Sequence, residues 1–463
     1  TRYHCVTGVQ TCALPILQGV KNMFNPEIIA FLMLGGFFAM LMIGVPVAIS
    51  LATVGFVFGF IGFGDTLFNL LPARIFGVAA GYQWLAIPLF IFMGIMLEKS
   101  GLADDLLDVI GHLSGGVKGG MAVGIILFGA LMGATTGIVG ATIITLGLLT
   151  LPTLLRRGYD KGIACGTIMA SGTLGQIIPP SLILILLSDI LQLSVGTLFA
   201  AAVMPGLLLT LVYIIYLLIQ GWLKPEMMPP IPLEERSRVS GKELWVRFWK
   251  VVFPPILLVV AVLGSIVGGV AAPTEAAAMG SFGSILVTVF SGRFTWDRLK
   301  AVMIDTTKIS ALMMFILICA QVFSLAFRGL NGEELIAKLF NVVPGGLNSD
   351  IWLMLLLIFV LGFFLEWIEI SYIAVPLFMP ILLSQGADPV WVAMMITVCL
   401  QSSFLTPPFG WALFYLKGVA PPEVLIKHLY KGAIPFIAMQ GITLYLVFQF
   451  PQISLWLPKL IGW

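Results

Sequence analysis

The sequence predicts an all-α polytopic membrane protein built from two inverted repeats, each with a re-entrant hairpin and broken transmembrane helices. Of its 463 residues, 59% are hydrophobic and only 10% are charged, whereas an ordinary soluble domain has about 25% charged residues. Apolar segments close to the roughly 20 residues that cross a bilayer recur along the chain. Prolines inside these segments recur at one offset, which indicates an internal repeat.

The expected crossings follow the apolar segments in chain order. In the first half they are 27–44, 46–63, 120–155, 161–188 and 195–222, and in the second half 252–270, 273–291, 350–385, 388–417 and 432–450. Gly44 and Pro46 leave a short turn for the first pair, so 27–63 is either two crossings or one kinked segment. Two further stretches, 84–113 and 306–340, each have two short arms around a turn and are predicted as re-entrant hairpins.

The division into domains follows from the same pattern. Residues 1–22 lack the basic start and apolar run of a signal peptide and are expected to be a tail of doubtful origin. The first repeat is predicted at 23–222 and the second at 251–463. Between them, 223–250 is predicted as a cytoplasmic linker with an interfacial helix, in which Trp245 and Trp249 act as anchors.

The repeat can be checked by subtraction. Two Pro-Pro pairs are separated by 407 − 179 = 228 residues, and the prolines that end the preceding segments by 380 − 152 = 228. Five crossings and one hairpin per repeat make the second copy inverted. When the linker is placed in the cytoplasm, 18 of the 24 Lys and Arg residues lie inside, as the positive-inside rule requires. Both chain ends are then expected outside.

The two Pro-Pro pairs mark the most informative stretches. A helix cannot continue unbroken through Pro179-Pro180, because each ring removes an amide donor and clashes with the preceding turn. Backbone groups freed at membrane depth are tolerated only where protein or a water-filled cavity satisfies them. Broken helices in corresponding places of two repeats indicate the binding site of a secondary transporter.

Hydroxyls and glycines accompany these breaks. The glycines of 133–140 weaken the helix there, which exposes backbone carbonyls. Together with the oxygens of Thr135 and Thr136, these carbonyls suit a small cation such as Na⁺. Helix N-termini beside a break suit a carboxylate. The alternative is that small residues merely allow close helix packing. Recurrence at the repeat offset favours binding. The candidate ion and substrate residues are Thr135, Thr136, Gly137, Gly140, Ser171, Thr173, Pro179, Pro180, Ser181, Gly362, Glu366, Ser402, Ser403, Thr406, Pro407 and Pro408.

Acidic residues inside apolar segments are a separate group of candidates. Glu366 and Glu369 lie in one segment, where a carboxylate costs about 2.5–3.5 kcal/mol on insertion scales and so suggests a function. A hydrogen bond to backbone freed by the break is the open alternative. Glu275 begins a predicted segment, where an acidic residue favours the helix dipole, so its predicted role is structural.

Other classes of protein have little support. The chain lacks a Gly-x4-Gly-Lys-Ser/Thr loop, so ATP hydrolysis is not expected. Its three histidines are scattered, and its five cysteines lack metal-type spacing. The sequence therefore predicts neither an enzyme nor a cofactor, with Na⁺ only as coupling ion. A passive channel remains open as an alternative, because re-entrant hairpins are compatible with one.

Five segments carry recognisable motifs, namely 151–160, 172–181, 199–206, 272–278 and 406–410. Together they resemble a known family, the large membrane subunit (DctM-type permease) of tripartite ATP-independent periplasmic (TRAP) transporters, and the resemblance covers about residues 24–450. It implies an elevator-type ion-transporter fold in the bacterial inner (cytoplasmic) membrane. It also implies Na⁺-coupled import of a small organic acid, typically a carboxylate. No nucleic acid partner is expected, because the chain has no basic run with interleaved aromatic residues.

The resemblance further implies two partners absent from this chain, a periplasmic substrate-binding protein and a small four-helix membrane subunit. A stand-alone symporter is the alternative. Carried over by position, the resemblance implies Na⁺ at Thr136, Gly137 and Thr406. Many members have Ser-Gly-Ser where this chain has Thr136-Gly137-Ile138, and Asp is frequent near Glu366. The stretches 366–370 and 403–410 look like those of the branch associated with keto acids, mannitol or chloroaromatic acids.

Overall fold

The computed structural model describes residues 26–114, 116–231, 241–342, 344–407 and 410–462. The predicted tail 1–22 lies outside this part of the chain. All regular elements in the described residues are helical. In the first half, the α-helices are α1 Pro26–Met42, α2 Val47–Phe63, α3 Thr66–Ala79, α4 Ala86–Lys99, α5 Leu102–Ser114, α6 Gly120–Thr136, α7 Val139–Arg156, α8 Lys161–Thr173, α9 Leu182–Leu191 and α10 Val195–Leu223.

The second half follows the same order of elements. Its helices are α11 Gly241–Arg247, α12 Phe253–Val267, α13 Pro273–Phe290, α14 Trp296–Gly329, α15 Gly332–Val342, α16 Leu347–Leu361, α17 Trp367–Ser384, α18 Pro389–Leu405, α19 Trp411–Val419, α20 Ile426–Gln449 and α21 Gln452–Leu460. A π-helical stretch, Phe248–Val252, joins α11 to α12. The helix predicted in the linker is therefore present and runs on into α12.

The helix starts repeat at the offset found in the sequence. Helices α7 and α17 begin 367 − 139 = 228 residues apart, and α8 and α18 begin 389 − 161 = 228 apart. The caps repeat as well. Asp160 accepts hydrogen bonds from the two backbone amides at the start of α8, and Asp388 does so at the start of α18. Each carboxylate satisfies amides that a helix N-terminus leaves without an intrahelical acceptor.

Among the residues that the structure describes, six helices are long and apolar enough to cross a membrane by themselves. They are Val139–Arg156, Val195–Leu223, Gly241–Val267 (α11, the π-helical stretch and α12 together), Trp296–Gly329, Trp367–Ser384 and Ile426–Gln449. Most of the other predicted crossings consist of shorter apolar helices. These helices are short for a local reason, because breaks at glycine and proline divide the predicted segments 120–155, 161–188, 350–385 and 388–417 into two pieces each.

Two compact units are present. Of the described residues, the smaller unit contains 26–81 together with Ala311–Met354 and Phe364–Ala387, and the larger unit contains Tyr82–Ser310, Leu355–Phe363 and the described part of 388–463. In the smaller unit α1 and α2 form a helical hairpin, because Gly36 of α1 lies against the ring of Phe58. The stretch 27–63 is thus two helices folded back on each other and not one kinked helix.

Both predicted hairpin turns are present. The first, between α4 and α5, passes through Gly101 with φ of +75°. The second, between α14 and α15, passes through Asn331 with φ of +57°. The second hairpin differs from the prediction in one respect, because its first arm is the end of a continuous 34-residue helix. No proline and no glycine precedes Gly329 in α14, so nothing interrupts it, whereas the corresponding stretch of the first half is divided into α3 and α4.

Candidate functional site

The first helix break lies between α6 and α7, in the larger unit. Gly137 adopts φ of +61°, and its amide donates to the Gly133 carbonyl oxygen over 2.9 Å. Ile138 is extended, and α7 begins at the next residue. A left-handed residue of this kind is favourable for glycine, which has no Cβ to clash with the backbone. A Cβ on Gly137 would lie 3.1 Å from Cγ of Leu182, so the break lies against the start of α9.

The second break, Leu174–Ser181, separates α8 from α9. A 3₁₀ turn at Leu174–Gln176 leads into Pro179-Pro180. The Ser181 hydroxyl donates to the Gln176 carbonyl oxygen over 2.5 Å and so closes the loop. Ser181 is fully buried and extended, and it immediately precedes α9. The first amides of α9 therefore begin at an interior position, where backbone donors need partners.

Two further hydroxyls near the second break donate within their own helix. Ser171 donates to the Ile168 carbonyl oxygen over 2.8 Å, and Thr173 to the Ala170 carbonyl oxygen over 2.9 Å. Both side chains are fully buried. A hydroxyl that donates to the backbone keeps its oxygen lone pairs, so these oxygens remain suitable to accept a bond or to coordinate a cation.

The third break separates α18 from α19 in the same unit. Thr406 is extended at the end of α18, and its hydroxyl donates to the Ser402 carbonyl oxygen over 2.6 Å. The Gly410 amide donates to the Thr406 carbonyl oxygen over 3.0 Å. Ser402 and Ser403 are buried and also donate to carbonyls of α18. Pro407 lies within the break, whereas Pro408 lies outside the described residues.

Equivalent contacts hold the broken helices together in both repeats. A Cβ on Gly133 would lie 2.6 Å from the backbone nitrogen of Gly175, and one on Gly362 would collide with the Ser403 hydroxyl. Residues 175 and 403 are 228 apart. In each repeat, the segment that ends at the first break packs closely on the second broken helix. Positions 133 and 362 require glycine, because the helix packed against each of them occupies the space that a side chain would need.

The larger unit brings most of the candidate residues together. Helix α18 contacts the 3₁₀ turn of the second break. Helix α7 packs on α19, and a Cβ on Gly140 would lie 2.9 Å from the Tyr415 ring. The candidates that this unit contains are Gly137, Gly140, Ser171, Thr173, Pro179, Pro180, Ser181, Gly362, Ser402, Ser403, Thr406 and Pro407. Thr135 and Thr136 form the end of α6 there, but their side chains are outside the described set.

Glu366 belongs to the smaller unit, in contrast to the other candidates. It is the extended residue before α17, and its carbonyl oxygen accepts the Ile370 amide over 3.2 Å. Glu369, one turn into α17, has a side chain only 3% exposed. Glu275 has the structural role that the sequence predicts, because its carboxylate accepts the Ala272 amide at the start of α13 over 2.9 Å.

Sequence reasoning missed three buried glutamines. Within the described part of the chain, neither the amide nitrogen nor the amide oxygen of Gln176 or Gln401 has a hydrogen-bond partner, whereas Gln440 lies beside the Tyr213 hydroxyl. Gln176 belongs to the second break, and Gln401 lies about one turn before Thr406. An unsatisfied buried amide is costly, so it points to a missing partner. The signal in the sequence is an amide side chain within an apolar helix next to a Pro-Pro pair.

The chemistry available at the breaks is that of neutral polar groups. Amide and hydroxyl oxygens suit a hard cation, while backbone amides and glutamine NH₂ groups suit an anion. Within the described ranges no group of three or more His, Cys, Asp or Glu side chains is placed to hold a metal ion. The arrangement of these neutral polar groups is suited to binding.

Comparison with solved structures supports the fold. The YdaH transporter of Alcanivorax borkumensis is similar with a TM-score of 0.57 at 15% identity, over 92% of this chain and 98% of that one. At this identity the likeness concerns the fold alone. Together with the helix breaks and hairpins, it confirms the predicted fold class, an all-α polytopic membrane protein.

Comparison with known sequences identifies the family. The chain is 30% identical over 450 residues to the C4-dicarboxylate TRAP transporter large permease protein DctM of Vibrio cholerae, covering 91% of this chain and 96% of that protein. It is 29% identical to the isethionate TRAP transporter permease protein DctMQ of Oleidesulfovibrio alaskensis, covering 97% of this chain and 69% of that protein. The family model of the tripartite ATP-independent periplasmic transporter, DctM component, matches residues 34–453. The chain therefore belongs to the DctM family of large membrane permeases of TRAP transporters.

Proposed function

We propose that this chain is the permease subunit of a Na⁺-coupled secondary transporter that imports a small organic acid delivered by a periplasmic binding protein. The observation that carries the proposal is the pair of broken helices, α8–α9 and α18–α19, at equivalent positions of the two repeats within one unit. Broken helices of this kind supply ion and substrate sites in secondary transporters. The site transports its ligand and does not transform it.

Na⁺ is the coupling ion in this proposal. Its ligands are oxygens at the ends of α6 and α18, with Thr136, Gly137 and Thr406 as the candidates. The end of a helix leaves carbonyl oxygens without intrahelical partners and carries partial negative charge. Both features favour a small cation at these two breaks.

The substrate carboxylate binds at the opposite polarity, near the first residues of α9 and α19. Helix N-termini offer amide donors and partial positive charge. Gln176 and Gln401 supply side-chain NH₂ groups that lack a partner in the described residues. The two relatives named above differ in substrate, C4-dicarboxylate in one and isethionate in the other. The proposal is therefore limited to a class, small organic acids.

Two partners complete the transporter. They are a small four-helix membrane subunit and a soluble binding protein in the bacterial periplasm. The isethionate relative supports the first, since its name joins M and Q and this chain covers only 69% of its length. Movement of the substrate site is proposed to follow an elevator mechanism. In it the hairpins and broken segments form the moving domain.

Uptake into proteoliposomes tests this function. The chain is reconstituted with its small-subunit neighbour, and labelled small organic acids are supplied with or without an inward Na⁺ gradient and the candidate binding protein. Uptake is expected only when both are present. Gradient-driven uptake without the binding protein would indicate a stand-alone symporter, and flux indifferent to Na⁺ would indicate a passive channel.

A further inference from the structure

The helix of the linker continues without interruption into the transmembrane helix α12. Together α11, the π-helical stretch and α12 form one helix of 27 residues, Gly241–Val267. At 1.5 Å per residue this helix is about 40 Å long, whereas the hydrocarbon core of a bilayer is about 30 Å thick. Its charged residues all lie between Lys242 and Lys250, so this is the end that extends into the lipid headgroups.

One face of this helix is exposed along its whole length. In α12 the exposed side chains of that face are apolar, and they are Phe253, Ile256, Leu257 and Val260. Exposed apolar surface of this kind contacts lipid in a membrane helix. Lys242, Val246 and Lys250 are spaced by four residues, and Lys250 precedes Phe253 by three, so all of them share this face. The lipid-facing side chains thus change from apolar residues to lysines at the level of the headgroups.

Tryptophans accompany the two lysines. Trp245 is 60% exposed and Trp249 is 45% exposed, and their ring centroids are 5.8 Å apart in an edge-to-face arrangement. The ring of Trp249 lies 4.6 Å from that of Phe253. Tryptophan is enriched at the boundary between hydrocarbon and water. This places the neighbouring ammonium of Lys250 within reach of the headgroups.

The opposite face of the helix is covered by protein. Helix α5 packs against both α11 and the π-helical stretch. Val252 and Pro255 are buried, and Leu244 and Phe248 are half-buried. These four residues recur every three or four positions and therefore lie on one side of the helix. The exposed face with the lysines is the side that the protein leaves to the membrane.

The charge of the exposed face comes from its lysines. Glu243 is the acidic residue of this helix, and its carboxylate pairs with the Arg247 guanidinium one turn later over 2.7 Å. Lys242 and Lys250 are both exposed. A lysine ammonium offers three donors and no acceptor, and its stem can extend along apolar surface while the charge reaches the phosphate level. The face is therefore complementary to anionic headgroups.

We propose that the face formed by Lys242, Val246, Trp249 and Lys250 binds the headgroups of anionic phospholipids. The positive-inside rule predicts the linker in the cytoplasm, and the cytoplasmic leaflet carries a negative surface potential that attracts basic segments. Binding fixes the linker between the two repeats, and with it α5, at the membrane surface. The inference does not depend on Na⁺ coupling or on the transported substrate.

The test measures which lipid lies beside this face in the full chain, reconstituted in nanodiscs of phosphatidylcholine. Val246→Cys places a bimane fluorophore between the two lysines, after Cys5 and Cys12 are replaced by serine; the cysteines at 165, 319 and 399 are buried. A small fraction of phosphatidylglycerol or of phosphatidylcholine, each with a nitroxide at carbon 5 of one acyl chain, is then added. The ratio of quenching at equal fractions gives the preference for the anionic headgroup.

Phosphatidylglycerol is expected to be preferred about fivefold or more, since each lysine near an anionic surface favours binding about fivefold. Lys242→Gln with Lys250→Gln is expected to reduce the preference to less than about twofold. Arginine at both positions is expected to retain it, because the charge is kept. Equal quenching by the two lipids in the chain with both lysines would overturn the proposal.

Lys431→Gln is the matched control, because it removes the same charge from an exposed lysine of α20. It is expected to leave the preference unchanged. An equal loss in this variant would reduce the effect to the general charge of the protein and refute the site. A preference that survives in the double glutamine variant would also refute it. All three lysines are exposed, so these substitutions leave the packing of the helices intact.

Discussion

The Na⁺ dependence of uptake is expected to rest on hydroxyl oxygens of residues at the helix breaks. In Thr406→Ala, the half-saturating Na⁺ concentration for uptake is expected to rise about fivefold or more, because loss of one oxygen ligand costs on the order of 1 kcal/mol. Thr397→Ala is the matched control, since Thr397 is buried in the same helix and donates to the Ala393 carbonyl oxygen over 2.8 Å. Equal Na⁺ dependence in both variants would remove Thr406 from the site.

The stability of the fold is expected to depend on single glycines at which two helices pack closely. Helices α8 and α20 approach so closely that a Cβ on Gly432 would lie 2.9 Å from the carbonyl carbon of Gly162. Backbone cannot move aside easily, so Gly432→Ala is expected to lower the free energy of unfolding by roughly 1–3 kcal/mol. The measurement is thermal or denaturant unfolding of the purified protein.

Gly441→Ala serves as the control for Gly432→Ala. Gly441 lies in the same helix, and a Cβ there would have no heavy atom within 4 Å. Alanine is also the better helix former, by about 1 kcal/mol. Gly441→Ala is therefore expected to leave stability unchanged or to raise it. A similar loss in both variants would show that the close approach of α8 and α20 is not responsible.

Ion pairs between residues far apart in sequence join separate helices. At the turn of the first hairpin, Lys99 pairs with Asp305 of α14, and Arg293 pairs with Asp105 of α5 over 2.5 Å. Arg293 also donates to the Gly101 carbonyl oxygen. These contacts fix the α4–α5 turn against the segment that joins α13 to α14. They add to the packing of α4 on α13, which includes a hydrogen bond from Ser281 to the Leu89 carbonyl oxygen over 2.7 Å.

A double-mutant cycle on Lys99→Met and Asp305→Asn measures the interaction energy of the first of these ion pairs. A coupling energy of about 0.5–1 kcal/mol is expected, at the upper end for partly exposed pairs, with most of it lost in 1 M salt. Lys308 is the control, since it lies 3.9 Å from the same carboxylate and is 74% exposed. Its coupling to Asp305 is expected to be smaller. A larger coupling for Lys308 would contradict the predicted role of the hairpin contact.

For the whole molecule, orientation in the membrane is a prediction that follows from charge. The positive-inside rule places the linker in the cytoplasm and the C-terminus outside. Intact cells are treated with a membrane-impermeant maleimide after Cys5 and Cys12 are replaced by serine. Gly462→Cys is expected to be labelled, whereas Glu226→Cys is expected to react only after the cells are opened. The reverse pattern would invert the proposed topology.

The other cysteines leave this measurement clear. Cys165, Cys319 and Cys399 are buried, and the parent variant without added cysteine supplies the background. Labelling of Glu226→Cys and Gly462→Cys from the same side would change the number of crossings between them from odd to even. The experiment therefore tests the inverted repeat as well as the orientation.

The sequence by itself determined the helix breaks, the hairpin turns and the offset of 228 residues. These features are local, because proline removes a donor, glycine permits a left-handed turn and an apolar segment must match the bilayer. For this reason α7 and α17 end, and α8 and α18 begin, within one residue of the bounds of the predicted segments.

Only the tertiary structure decided which residues share an environment. It placed Gly133 on Gly175 and Gly362 on Ser403, and it assigned Glu366 to the smaller unit. It also buried Gln176 and Gln401 without protein partners among the described residues. Such contacts depend on how distant segments pack, and a pattern along one segment carries no information about the side chain that another segment brings against it.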